Sequence, residues 1–126
     1  MPRGHVSADR RILISVDVLD RDGRPREFEA ALDTGFTGFL TLPAADIQLL
    51  GLTYDGVRTF ALANGELQDF QAYDGLMRWH GHPTEALVLE AEGMPLIGMS
   101  LAWGSRVTFD ALAGGAVEIE EIASGP

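Results

Sequence analysis

The sequence predicts a mostly β domain with one or two short helices, and three observations carry that reading. Residues 12–19 and 26–32 are extended runs rich in β-branched or alternating side chains, on either side of a turn-forming stretch, Asp20 to Pro25. Asn64-Gly65 lies between two further extended runs, and His80 to Pro83 between two more. Helical punctuation occurs only around residues 43–51 and 100–103, both too short to organise an α fold.

In chain order, ILISVDVL at 12–19 is the first strand, and Asp20-Arg21-Asp22-Gly23-Arg24-Pro25 turns the chain into a second at 26–32. An EF-hand reading of this turn fails, because the further acidic ligand it needs before the glycine is missing, Val18 standing at that spacing. Leu40 to Leu42 forms a short strand, and Pro43 to Gly51 a short helix with proline near its start and glycine at its stop. Residues 59–63 and 66–73 are paired across Asn64-Gly65, a dipeptide suited to the two positive φ angles of a type I′ turn. Residues 75–79 and 84–90 make a third hairpin. Pro95-Leu96-Ile97-Gly98 leads into helix at 100–103, and 106–109 and 116–122 are closing strands.

The whole chain, 1–126, reads as one domain without repeat or linker, preceded by an N-terminal arm at 1–10. A chain of this size buries roughly two-thirds of the surface its unfolded state exposes. Trp79, Trp103 and Phe109 are assigned to the core. Lys+Arg number 9 against 19 Asp+Glu, a net charge of −10, so phosphate backbones and anionic membrane surfaces are excluded as partners. Every cation is arginine, which removes Schiff-base chemistry, a P-loop lysine and a lysine general base. With no cysteine, thiol catalysis, thiolate metal sites and disulfides are impossible. Glu85, Glu90 and Glu92 interrupt the longest apolar stretch, and residues 1–11 lack a signal-peptide core, so a soluble, cytoplasmic protein is expected.

The stretch that carries chemistry is Ala30-Ala31-Leu32-Asp33-Thr34-Gly35-Phe36-Thr37-Gly38-Phe39-Leu40, an apolar strand running into an aspartate, a small hydroxyl residue and a glycine. Asp33-Thr34-Gly35 resembles the active-site triplet of retropepsin-like (clan AA) aspartic proteases, and Asp33-Thr34-Gly35-Phe36 is similar to the form found in small bacterial members. Further features follow in the family's order: a hairpin before the triplet, the Asn64-Gly65 hairpin at the flap position, and Leu96-Ile97-Gly98 before a short helix. Gly114-Gly115-Ala116-Val117-Glu118-Ile119 matches a terminal strand of the kind used in dimerisation, so the resemblance spans about residues 12–120.

The resemblance implies a closed acid-protease barrel with one lobe per chain. It further implies an aspartic endopeptidase in which two carboxylates about 3 Å apart share a proton, one activating a water and the other protonating the scissile carbonyl. This chain supplies one such carboxylate, because Asp22-Gly23, Asp55-Gly56 and Asp74-Gly75 each read as turns. The second must come from Asp33′ of another copy, which makes the implied enzyme a homodimer. Thr34 would bond across the dyad, and Gly35 would admit a substrate backbone. Phe36, Ala63, Asn64, Gly65 and Ile97 would bind an extended peptide or protein substrate. No metal or organic cofactor is implied.

Two departures from the retroviral pattern are visible: Thr37 and Met99 stand where an aspartate and an arginine pair with each other, so both charges are lost together. Phe36 also replaces a small residue. The GxxG of Gly35 to Gly38 lacks the cationic, helical setting of a KH loop. His80-Gly81-His82 offers two imidazoles without an evident third ligand and is assigned to a surface turn. The competing functional reading is a catalytically silent dimer of the same fold that binds peptides or serves as an interaction module.

Overall fold

Residues 3–62 and 64–123 are described by a computed structural model of the chain. Ten strands and two helices follow one another as β1 (Arg3–Val6), β2 (Ile12–Leu19), β3 (Pro25–Leu32), β4 (Leu40–Leu42), α1 (Ala44–Leu50), β5 (Thr53–Ala61), β6 (Leu67–Trp79), β7 (His82–Glu90), β8 (Leu96–Ile97), α2 (Met99–Ala102), β9 (Ser105–Phe109) and β10 (Ala116–Glu121).

The strands pair in the order β5-β6-β7-β4-β8-β3-β2-β1-β10-β9, and an additional β6–β2 pairing closes six of them into a ring. Strand β2 makes this possible by dividing one edge. Ile12 to Ser15 pair with β1, whereas Asp17 to Leu19 pair with β6. The alternation of ILISVDVL places Ile14, Val16 and Val18 inward, each at most 2% exposed, beside Leu40, Leu42, Met77, Val88 and Ile97.

The turn between β2 and β3 follows its sequence closely. Gly23 takes a left-handed φ of 79°, and the Asp20 carboxylate accepts the backbone N–H groups of Asp22 (2.9 Å) and Arg24 (3.0 Å). Those bonds, the Arg24 N–H foremost, hold the Asp20 carboxyl below its ordinary pKa. Helix α1 ends at Gly51, whose φ of 70° lets its N–H reach back to the carbonyls of Ile47 and Gln48.

Several elements differ from expectation. Arg3–Val6, within the stretch read as an arm, is a strand held between β2 and β10. The two hairpin strands read as 66–73 and 75–79 are one 13-residue strand, β6. Gly75 sits inside that strand because a Cβ there would lie 2.7 Å from the Ala86 carbonyl oxygen; it permits a close backbone approach instead of a turn. Asp55-Gly56 likewise falls at a register shift within β5, a bulge, leaving Asp22-Gly23 as the turn among the three Asp-Gly pairs.

The hairpin tips exchange roles. At Asn64-Gly65 only the glycine is left-handed, with φ of 85°, while the Asn64 side chain accepts the Glu66 N–H at 2.9 Å. Leu62 N–H donates to Glu66 O and Gly65 N–H to Leu62 O, so the tip is longer than a two-residue turn. The two consecutive positive φ angles occur instead at His80 (53°) and Gly81 (77°), directly between the paired residues Trp79 and His82. No helix among the described residues is long and apolar enough to cross a membrane.

The terminal strand matched above to one used in dimerisation is already paired within the chain. Strand β10 is paired on one side with β9 and on the other with β1 of the same chain, so both of its edges are occupied.

Candidate active site

Asp33 lies one residue beyond the end of β3, where the parallel pairing of Leu32 with Ile97 stops. Its backbone N–H extends that ladder by one bond, to the Ile97 carbonyl at 2.9 Å. The chain then turns: Phe36 N–H donates to Asp33 O at 3.1 Å, and Gly35 N–H donates to Asp33 Oδ1 at 2.9 Å. The half-buried carboxylate is thereby oriented by its own loop, with one oxygen engaged by a backbone donor.

The rest of the loop is fixed from the other end of the sequence. Four consecutive carbonyls are taken up by residues 98–100: Phe36 O by Met99 N–H (2.8 Å), Thr37 O by the Ser100 hydroxyl (2.5 Å), Gly38 O by Ser100 N–H (3.1 Å) and Phe39 O by Gly98 N–H (3.0 Å). The N–H groups of Met99 and Ser100 belong to the first turn of α2 and would otherwise lack partners within the helix. Buried Leu101 and Ala102 anchor the helix to the core.

Glycine makes this contact possible. A Cβ on Gly98 would lie 2.1 Å from the Gly38 carbonyl oxygen, and one on Gly38 only 2.5 Å from Phe36 Cζ. The Phe36 ring therefore covers both glycines, and it meets Phe60 of β5 with centroids 5.7 Å apart. Phe60 in turn contacts Phe70 of β6 edge-on at 6.3 Å.

Among the residues singled out from sequence, Asp33, Thr34, Gly35 and Phe36 occupy one turn, with Thr34 and Gly35 exposed and Phe36 half-buried. Asn64 and Gly65 sit at the tip of the β5–β6 hairpin and are exposed; Ala63 lies outside the described residues. Ile97 differs from expectation. Its side chain is fully buried in the core and cannot line a substrate site; its carbonyl instead receives the Asp33 N–H. Ser100 and Gly98 fix the loop yet received no role in the sequence reading, although Gly98 belongs to the apolar-apolar-glycine signature. Serine at the start of a short helix was the available signal for Ser100.

Two hollows lie away from Asp33. One of about 810 Å³ is bordered by Asp20, Leu52, Asp74 and Glu85, and another of about 640 Å³ by Thr37, Trp79, His80, Met99 and Trp103. Asp74 has its pKa raised chiefly by a hydrogen bond with the Asp55 carboxyl, both on the β5–β6 hairpin and apart from the Asp33 turn. The two histidines diverge: His80 Nε2 is 2.7 Å from Ser105 Oγ, and His82 Nε2 is 3.5 Å from Glu121 Oε1. No cluster of three or more His, Asp or Glu side chains suited to a metal ion occurs among the described residues. Of the aromatics assigned to the core, Trp79 is buried, whereas Trp103 and Phe109 are exposed.

No protein-family model matches the sequence, and no curated protein does. Among solved structures, the chain is similar to a retropepsin-like aspartic protease from Rickettsia conorii, with 20% identity and a TM-score of 0.52 over 93% of this chain and 88% of that one. The fold is retropepsin-like.

Proposed function

We propose that this protein is an aspartic endopeptidase that acts as a homodimer, with Asp33 and Asp33′ of a second copy forming the catalytic pair. The observation that carries this reading is the attachment of Asp33. An aspartate is held at a strand end by Ile97, its Oδ1 is oriented by Gly35 N–H, and its loop is bonded through four successive carbonyls to residues 98–100. Such preorganisation suits a carboxylate that must hold a water while sharing a proton with a like-charged neighbour. One aspartate would accept the proton of the attacking water as the other donates to the scissile carbonyl oxygen, giving a tetrahedral diol without a covalent enzyme intermediate. Thr34 would bond across the dyad. The β5–β6 hairpin, with Ala63, Asn64 and Gly65 at its tip, would close over an extended peptide, and Phe36 would form part of the floor.

The experiment is cleavage of an unstructured protein at pH 5–6 by wild type and by Asp33→Asn. Wild type is expected to cleave and the variant to lose activity, because the amide keeps the shape but neither ionises nor shares the proton. Equal cleavage by both would overturn the proposal.

The Phe36–Phe60 contact favours a second reading, since it ties the floor of the site to the strand that would have to move as a flap. A silent module would bind extended peptides without cleaving them. A statine-type inhibitor and its deoxy analogue separate the two: the hydroxyl is recognised by a formed dyad, so the inhibitor raises the melting temperature of the enzyme more than the analogue does, whereas a silent module responds equally to both.

A further inference from the structure

The sheet has two open edges among the described residues, β5 and β9, and they are built differently. Edge strands invite pairing with other chains unless bulges or charges prevent it. Strand β5 carries both defences, a register shift between Tyr54 and Val57 and the Asp55–Arg58 ion pair at 3.0 Å. Strand β9, Ser105–Phe109, pairs regularly with β10 along its whole length, and its one charge, Arg106, is already engaged by Glu120 at 3.2 Å.

Apolar side chains cluster at this unprotected edge. Phe109 is 45% exposed at one end, followed by Leu112 at 64% in the turn to β10; Trp103 at 64% and Ile122 at 53% flank the other end. Ile122 is placed there by its N–H, which bonds to the Gly104 carbonyl at 2.8 Å. Gly104 O and Asp110 N–H both bond toward the β10 side, so alternation along β9 directs the main-chain groups of Ser105, Val107 and Phe109 to the open edge. In a chain of net charge −10, residues 104–109 contain no acidic side chain. The edge strand itself therefore adds no carboxylate to a contact between two equally acidic copies.

We infer that the second copy docks by antiparallel pairing of β9 with β9′, so that the sheet β2-β1-β10-β9 runs on through its two-fold mate. An antiparallel strand pair is self-complementary, as an isologous interface requires. This choice of occupant rests on the Asp33/Asp33′ reading, whose site is incomplete in one chain. The terminal strand β10 cannot take this role itself, because both of its edges are occupied within the chain.

The absence of cysteine makes a proximity test direct. Single cysteines are placed at Arg106 and Thr108, both exposed, and at Glu118 on β10 as the comparison. Directly opposed residues of antiparallel strands have Cα atoms about 4.5–5.5 Å apart, within disulfide reach. In a sample shown by sedimentation to be dimeric, Arg106→Cys, Thr108→Cys or their mixture is expected to cross-link at least tenfold faster than Glu118→Cys. Equal or faster cross-linking at Glu118, or a monomer at all accessible concentrations, overturns the inference. Peptidase activity of the same wild-type sample separates the two claims. A dimer with Asp33-dependent cleavage and no β9 cross-link retires the interface alone, whereas a β9-linked dimer without cleavage retires the catalytic reading and leaves the interface standing.

Discussion

The rings of Phe36 and Phe60 meet at a centroid distance of 5.7 Å and an angle of 57°, joining the turn that carries Asp33 to the first strand of the β5–β6 hairpin. Truncating Phe36 to Ala removes this contact and uncovers Gly38 and Gly98, which its ring overlies. Full burial of a phenylalanine is worth about 3–5 kcal/mol against Ala, and a half-buried one roughly half of that, so Phe36→Ala is expected to lose about 2 kcal/mol in denaturant unfolding. Amide exchange near Phe60 should rise with it. Unchanged exchange there would show that the two rings are not energetically coupled.

Gly35 and Gly98 are expected to respond differently to alanine. At Gly98 a Cβ would meet the Gly38 carbonyl oxygen at 2.1 Å, a clash between backbones that only displacement of the loop relieves, and Gly98→Ala should unfold or be grossly destabilised. At Gly35 the nearest atom is Asp33 Oδ1 at 3.3 Å, so Gly35→Ala should fold with nearly the wild-type melting temperature. Its cost should fall on catalysis instead, on the order of a hundredfold in kcat/KM, because the methyl crowds the carboxylate. Thermal melts and peptide cleavage on both variants check the pair.

Ser100 holds the Thr37 carbonyl with its hydroxyl, in a loop that lacks the aspartate–arginine pair of the retroviral pattern. Ser100→Ala should cost about 1 kcal/mol of stability. If the bond positions the Asp33 turn, kcat falls while KM holds, and Ser100→Thr restores part of the loss. An equal change in both constants would assign the hydroxyl a purely structural role.

Asp33→Asn keeps an oxygen to accept the Gly35 N–H, seen at 2.9 Å in the wild type, and in the proposed dyad would remove the repulsion of two carboxylates. The variant should then melt at the same temperature as wild type or higher, as functional sites often trade stability for reactivity. A clear fall in melting temperature would mean that the carboxylate is stabilising where it stands.

His80 supplies the pH prediction. Burial disfavours its charged form and lowers its pKa from 6.5, an effect larger than the opposing pull of Glu121. Since the unfolded chain binds the proton more readily, stability contributed here is present above about pH 6.5 and is lost as pH falls from there toward the lowered value. His80→Asn, which tolerates the left-handed φ of 53°, should flatten the dependence of melting temperature between pH 7.5 and pH 5. An unaltered slope would place the responsible group elsewhere.

Much of this architecture was legible in local pattern. ILISVDVL alternates as a half-buried strand must, Pro43 and Gly51 bracket a helix, and the Asp33 triplet identified its own turn. What escaped depends on partners distant in sequence. Arg3–Val6 contains a glycine and two polar side chains and becomes a strand because β2 and β10 both pair with it. Gly75 looks like a turn residue, and only the Ala86 carbonyl across the ladder explains it. Asn64-Gly65 has the better type I′ dipeptide, yet His80-Gly81 adopts the two positive angles, with the His80 ring held by Ser105. Ile97 sits in the signature that marks the site, but its apolar side chain belongs to the core and only its carbonyl serves Asp33.

The bonds that set the Asp33 turn have a bearing on when the protein becomes competent. Asp33 waits for Ile97, Phe36 for Met99 and Gly38 for Ser100, separations of 97 − 33 = 64, 99 − 36 = 63 and 100 − 38 = 62 residues. Contacts closed over such spans form late, after the loop-closure entropy has been met by other pairings. At ordinary synthesis rates of about 5–20 residues per second, the aspartate leaves the ribosome several seconds before the segment that fixes it. A nascent chain would thus carry Asp33 on an unset turn until residues 97–100 have been made and have folded back onto it.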